Sequence, residues 1–227
     1  MKLSNETRDV LKNFAAINSN IVFNGGNEIK TVATAKNILA FADVNEQFPS
    51  EQIGIYDLNE FLGVLSMFDD PELAFSSDFK SVKIQQDRKS VNYFFSDPSI
   101  LTSPSKTINM PDPEVTITLT DSDMAQLRKA ASALGVTDVV VTANPGDSAI
   151  TVRVTDVEDA TANNFELKVD GPAATAPYRF VFSVGNFKIV PGDYTIQISS
   201  KLISKWQHTT QPLHYFIALE TSSNYGG

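Results

Sequence analysis

The chain has 227 residues, 42% of them hydrophobic and 20% charged, an ordinary globular composition with apolar mass for one large core or two small ones. Its 18 basic and 27 acidic residues leave a net charge of −9, which argues against a broad basic face for gripping nucleic acid, since such affinity comes mainly from phosphate neutralisation by Lys and Arg. Cysteine is absent, which excludes disulfides, thiolate metal sites and cysteine nucleophiles and fits a reducing compartment. No apolar run approaches the ~20 residues of a membrane helix, and Met1-Lys2-Leu3-Ser4-Asn5-Glu6 has no apolar signal core, so a soluble, unexported protein with no membrane partner is expected.

The apolar residues Leu3, Val10, Leu11, Phe14 and Ile17 recur at helical spacing, predicting an amphipathic helix with Ser4 as its N-cap and Glu6 in the first turn. Ile21-Val22-Phe23 then runs into Asn24-Gly25-Gly26-Asn27, and a second extended stretch begins near Ile29; this is a hairpin signature. Ile38 to Phe41 is the next predicted strand, and Ile53 to Tyr56 a short one. Asp57 caps a second helix with Leu58, Phe61, Leu62, Leu65 and Phe68 on one face, ended by Pro71. Three strands follow at regular intervals, around Leu73 to Phe75, Val82 to Ile84 and Val91 to Phe95.

Between Asp97 and Glu114 the composition changes, with Pro98, Pro104, Pro111 and Pro113 interleaved with Ser and Thr, which suits an extended connector. A boundary near Met110 is expected, giving domains 1–110 and 111–227 with the connector at about 97–113. Beyond it the order returns: a strand from Val115 to Leu119, a helix from Asp121 to Leu134 capped by Thr120 or Asp121, then Val139-Val140-Val141, a turn at Asn144-Pro145-Gly146-Asp147 and a strand from Ile150 to Val154. A constant offset carries Val10 to Leu127, Phe14 to Ala131, Ile17 to Leu134 and Val22 to Val139. A slightly larger one carries Tyr56-Asp57-Leu58 and Phe61 to Phe182-Ser183-Val184 and Phe187. Two similar α+β domains are the structural expectation, internal repeats being the first thing to seek in a chain of this length.

Met1-Lys2-Leu3-Ser4, Leu11-Lys12-Asn13-Phe14-Ala15, Ile17-Asn18-Ser19, Ile55-Tyr56-Asp57-Leu58-Asn59 and Phe61-Leu62-Gly63 resemble the DNA polymerase sliding clamps of T-even-type bacteriophages. The resemblance is dense over the first seventy or so residues and thin afterwards, where Pro191-Gly192-Asp193-Tyr194 and a closing strand from Tyr215 to Leu219 are its clearest echoes. It implies a closed homotrimeric ring with two processivity-fold domains per subunit, helices lining the hole and antiparallel sheets outside. It further implies a processivity factor in the cytoplasm of the bacterial host that encircles duplex DNA without sequence preference. Its partners would be the replicative DNA polymerase, an ATP-driven clamp loader and, in phages of this type, the late-transcription factors.

Arg8 and Lys12 stand four apart on the first helix, away from Val10, Phe14 and Ile17, with Lys2 at the N-terminus. Arg128 and Lys129 lie on the equivalent helix of the second domain, and Lys188 ends a short helix predicted to begin near Ser183. Under the resemblance these six are the candidate DNA-facing residues. From the residues alone, each reads more simply as a solvated charge on an amphipathic element. The helix from Asp57 departs from the scheme, because Asn59 and Glu60 leave its polar face without a cation until Lys80. A ring needs little affinity, since topology retains the DNA, and an acidic exterior limits non-specific sticking.

For protein partners the candidate surface is the connector, with Ile100, Leu101, Ile108 and Met110 beside a groove between the domains; the alternative is that these four tack the connector to the body. Subunit joining is expected at free strand edges. No cofactor, metal or catalytic residue is expected. His208 and His214, near Trp206, lack further ligands. Asp69-Asp70 reads as a solvated helix end, and Asp121 with Asp123 as a helix start. Gly25-Gly26 has no Gly-Lys-Ser/Thr beside it, and no Gly-x-Ser-x-Gly elbow exists. A tail or baseplate structural protein is the competing reading, since acidic, cysteine-free, Ser- and Thr-rich two-domain chains suit that role as well.

Overall fold

The computed structural model describes residues 1–104 and 108–227. The chain divides into two compact units, Met1–Thr107 and Ile108–Gly227. In the first, α1 spans Asn5–Ile17 and buries Thr7, Val10, Leu11, Phe14 and Ile17, the stripe its spacing predicts. Ser4 caps it through its side chain, which accepts from Thr7 N. The strands that follow are β1 (Ile21–Phe23), β2 (Gly26–Val32), β3 (Ile38–Phe48) and β4 (Ile53–Ile55). Helix α2 (Leu58–Leu65) precedes the meander β5 (Glu72–Phe75), β6 (Ser81–Gln86) and β7 (Lys89–Phe94).

Three expectations change here. The stretch at 21–32 is not a hairpin: β1 pairs antiparallel with β4, while β2 pairs with β3. Gly25 and Gly26 do turn the chain, with φ of 83° and 76°, and a Cβ on Gly25 would lie 2.9 Å from Ser50 Cα. A turn signal fixes local geometry but not the strand's partner, and β1, buried at all three residues, takes the equally buried β4. Strand β3 continues to Phe48, because 41–48 keep alternating between covered and exposed. Helix α2 stops at Leu65, well before Pro71, where Ser66 Oγ donates to the Gly63 carbonyl. Phe68 is still buried, reached from the turn beyond the helix.

In the second unit β8 (Val115–Leu119) leads into α3 (Asp121–Leu134), and β9 (Asp138–Ala143), β10 (Ile150–Thr155), β11 (Phe165–Val169) and β12 (Tyr178–Ser183) follow. A single 3₁₀ turn at Val184–Asn186 stands where the sequence predicted a short helix. The cause is local: Ser183 makes no capping hydrogen bond, and Pro191 lies a few residues on. Strands β13 (Tyr194–Ser199), β14 (Ile203–His208) and β15 (Leu213–Ala218) form a second meander, and β16 (Asn224–Tyr225) adds to β12. The Tyr215 strand therefore is not the last element.

The element order repeats. In each unit a helix is followed by four strands, the first antiparallel to the fourth (β1 with β4, β9 with β12) and the second to the third (β2 with β3, β10 with β11). A helical element, α2 in the first unit and the 3₁₀ turn in the second, and then a three-stranded meander follow in both units. Even the first strand has its counterpart. β8 pairs with β13, and in the first unit Met1 and Leu73 exchange backbone hydrogen bonds of 2.9 and 2.7 Å in the same place. Each unit has its own core, Phe23, Phe48, Phe61 and Phe95 with Leu3 and Ile55 in the first, and Trp206, Phe182, Phe187 and Val152 with Ile117 and Ile196 in the second.

Candidate nucleic-acid interface

In the first unit the candidate cations gather around α1. Glu46 of β3 is only 9% exposed and accepts from Ser4 N at the N-cap of α1 and from Thr7 Oγ1 in its first turn. Burial alone would raise its pKa; the hydrogen bonds from Thr7 and Ser4 outweigh that and hold the carboxyl below its ordinary 4.5. An ionised carboxylate under a helix N-terminus also suits the helix dipole. This residue was not legible as a site residue, because its partners lie some forty positions away.

Arg8 leans from α1 across α2 toward the Asp69 carbonyl, with Nη1 at 3.4 Å. Together with Asn5, Asp9, Lys12, Leu62, Leu65 and Ser66 it lines a groove of about 380 Å³. Lys12 pairs with Asp9 at 2.8 Å, and Lys2 with Asp70. The Asp69-Asp70 loop thus meets two of the three candidates, and Gln86 Oε1 in turn accepts from both of its amides. The i,i+3 spacing of Asp9 and Lys12 was readable; the Lys2–Asp70 pair depends on tertiary contact.

In the second unit Thr120, not Asp121, caps α3, in a full capping box with Asp123. Asp121 instead accepts from Gly192 N at 2.9 Å while Asp193 accepts from Asp121 N at 2.8 Å, so the helix start and the Pro191-Gly192-Asp193 loop hold each other. The loop's other side is fixed by Tyr194 Oη, which donates to the Val190 carbonyl, and by Tyr215 Oη, which accepts from Val190 N. Burial pushes both phenols up, keeping them neutral donors or acceptors. His208 Nδ1 accepts from the amides of Thr210 and Gln211, and its Nε2 lies 3.3 Å from the Pro191 carbonyl, a packing role for this ring. Arg128 donates to the Phe187 carbonyl at 3.1 Å, which brings it beside Lys188. Lys129 and Lys188 are exposed.

The connector candidates separate. Ile100, at the end of a 3₁₀ turn over Pro98–Ile100, is 71% exposed. Leu101 packs at Gly54, where a Cβ would lie 2.8 Å from its Cδ1, so it tacks the connector to the first unit. Ile108 is 36% exposed and Met110 half-buried. Positions 105–107 of the connector lie outside the described residues. Elsewhere, a hollow of about 600 Å³ on the second unit is lined by Arg153, Arg179 and Asp156 among others. Arg153 is already paired there with Glu166, and Arg179 donates to the Ser222 carbonyl.

The fold and kinship agree. A family model described as "gp45 sliding clamp, C terminal" matches residues 116–221. The sliding clamp of Vibrio phage KVP40 is 32% identical over 223 residues, covering 97% of this chain and 99% of that one. Those of Escherichia phage RB69 and Enterobacteria phage T4 are each 30% identical, with 99% of both chains covered. Likeness thus runs through both halves, further than the residues singled out in the sequence indicate. Among solved structures, an A. fulgidus PCNA bound to the C-terminal region of FEN-1 superposes with a TM-score of 0.70 at 16% identity, covering 96% of each chain. The PCNA2–PCNA3 complex of Sulfolobus tokodaii gives 0.69 at 13%, covering 97% of this chain and 99% of that one; at such identities these establish the fold alone. With phage relatives at 30–32% identity across nearly its whole length, this chain belongs to the bacteriophage sliding-clamp family.

Proposed function

We propose that three copies of this chain close into a ring around duplex DNA and tether the replicative polymerase, opened by a clamp loader and performing no chemistry itself. The observation that carries this reading is the repeat. Each unit presents one long helix, α1 or α3, whose buried stripe faces its own core and whose opposite side carries the cations Arg8 and Lys12 or Arg128 and Lys129. A ring of repeated units is the arrangement in which such helices all face one axis. Lys2, just before α1, and Lys188, next to the Phe187 carbonyl that holds Arg128, are proposed as DNA-facing with them.

The net charge of −9 fits retention by topology instead of affinity. For closure, β7 and β11 each end their sheet with one edge unpaired among the described residues of the unit, and both carry half-buried apolar residues, Val91 and Tyr93 on one, Phe165 and Leu167 on the other. Pairing the β7 edge of one copy with the β11 edge of the next is a head-to-tail contact, the kind that closes rings. Of the four connector candidates, Ile100, Ile108 and Met110 are the proposed docking residues for polymerase and loader peptides, and for late-transcription factors, while Leu101 anchors the connector at Gly54. No helix among the described residues is long and apolar enough to cross a membrane, and action in the host cytoplasm follows from the role. Nothing favours the tail or baseplate alternative.

Solution mass tests the assembly: the expected value is three times the 24.8 kDa of the chain. Reversing Arg8, Lys12, Arg128 and Lys129 to Glu is expected to impair loading or processivity with folding intact. No effect on either would remove these residues from the DNA path.

A further inference from the structure

The two cationic helices are not electrically alike. On α1, Lys12 is paired with Asp9, and Lys2, just before the helix, with Asp70; all four side chains are 58–67% exposed. Arg8 donates to the backbone carbonyl of Asp69, a neutral acceptor. Two of the three cations here are therefore ion-paired. On α3 the acids are confined to the first turn, where Asp123 is occupied with Thr120 and Asp121 with Gly192. The helical neighbours of Lys129 at three and four positions either way are Ala125, Gln126, Ser132 and Ala133, none of them charged. Lys129 stands a rise of ~9 Å beyond Asp123, close to a Debye length at ordinary salt, and makes no ion pair among the described residues. Arg128, like Arg8, is oriented by a neutral backbone carbonyl and makes no ion pair among the described residues.

Exposed pairs of this kind contribute little to stability. Their effect on DNA is larger, because binding to phosphates is driven by release of condensed counterions, and a lysine already neutralised by a carboxylate releases none. Resting on the ring reading above, we infer that Asp9 and Asp70 are internal counter-ions that mask Lys12 and Lys2. The phosphate grip of each subunit is thereby left mainly to Arg128 and Lys129 on α3, with Arg8 as the one unmasked cation on the α1 side. The device keeps a closed ring from sticking to the strand it must slide along.

The test is equilibrium binding of the full-length protein to a fluorescently labelled 40-base-pair duplex, followed across salt concentrations. In D9N/D70N, affinity at low salt rises roughly tenfold, and the slope of log K against log salt steepens by up to about 1.8 for each engaged chain, two unmasked cations at about 0.9 each. K2Q/K12Q changes little in the native background but abolishes that gain in the D9N/D70N background. R128Q/K129Q lowers affinity and slope in both. Unchanged affinity and slope in D9N/D70N, or an equal loss from K2Q/K12Q and R128Q/K129Q in the native background, overturns the division of labour while leaving the DNA-facing reading in place. Indifference of binding to all of these variants overturns both.

Discussion

Glu46 offers the sharpest stability test, because one carboxylate fixes the start of the helix that carries Arg8 and Lys12. Its oxygens accept from Ser4 N and Thr7 Oγ1, and Thr7 is 1% exposed. Truncation to Ala leaves both donors without this acceptor. Hydrogen bonds to a charged group contribute ~1.5–3 kcal/mol each, and Ser4 Oγ, 3.0 Å from Thr7 Oγ1, recovers part of the loss. The expected destabilisation for E46A is therefore about 3 kcal/mol, with about 1 kcal/mol for E46Q, which keeps an acceptor but not the charge. At roughly 2–4 °C per kcal/mol for a chain of this size, E46A should melt ~6–12 °C lower, measured at fixed protein concentration because assembly couples to stability. A loss below about 1 kcal/mol for E46A would refute the reasoning, since the pocket would then be supplying its own acceptor.

The same residue sets a pH dependence. Hydrogen bonds hold Glu46, and likewise Glu114 through Ser200, below the ordinary 4.5 despite opposing burial. Their stabilisation is thus complete above that value and is lost as pH falls through the lower folded values; acid titration of E46Q should show a shallower loss below about pH 4.5 than the native chain. Gly192, at φ 147°, has no room for a side chain, a Cβ lying 2.2 Å from His208 Nε2, so G192A should cost about 3 kcal/mol and loosen the start of α3 in hydrogen exchange. Removing the α3 cap with T120A should cost about 1 kcal/mol by chemical denaturation. E166A, which breaks the half-exposed pair with Arg153, should change stability by less than about 1 kcal/mol.

Helix α1, with Ser4 as its cap, α3 and the β5–β7 meander were readable from the sequence, because each is an amphipathic pattern bounded by its own stop signals. Pairing was not. The turn at Gly25-Gly26 is real, yet β1 ends at Phe23 and pairs with a β4 that begins only at Ile53, and nothing local encodes that choice. Strand β11 alternates clearly at Phe165-Glu166-Leu167-Lys168-Val169 and carried a signal that could have been used. The spacing of Phe182 and Phe187, which matches that of Tyr56 and Phe61, predicts a helix ending at Lys188; the position is equivalent, but the helix is a single 3₁₀ turn. For the candidate site, sequence supplied the cations and missed what opposes them. Asp9 is visible at helical spacing from Lys12, whereas Asp70, Asp69 and Glu46 come into play only when strands and loops distant in sequence meet α1.

The central claim is that this chain holds DNA by enclosing it, and retention by DNA topology tests that most directly. After loader-dependent assembly on nicked circular duplex, the protein is predicted to co-elute with the DNA at moderate salt and to be lost once a single restriction cut makes the circle linear. Equal retention on circular and linear DNA, or a strict monomer that never remains on the circle, would contradict it.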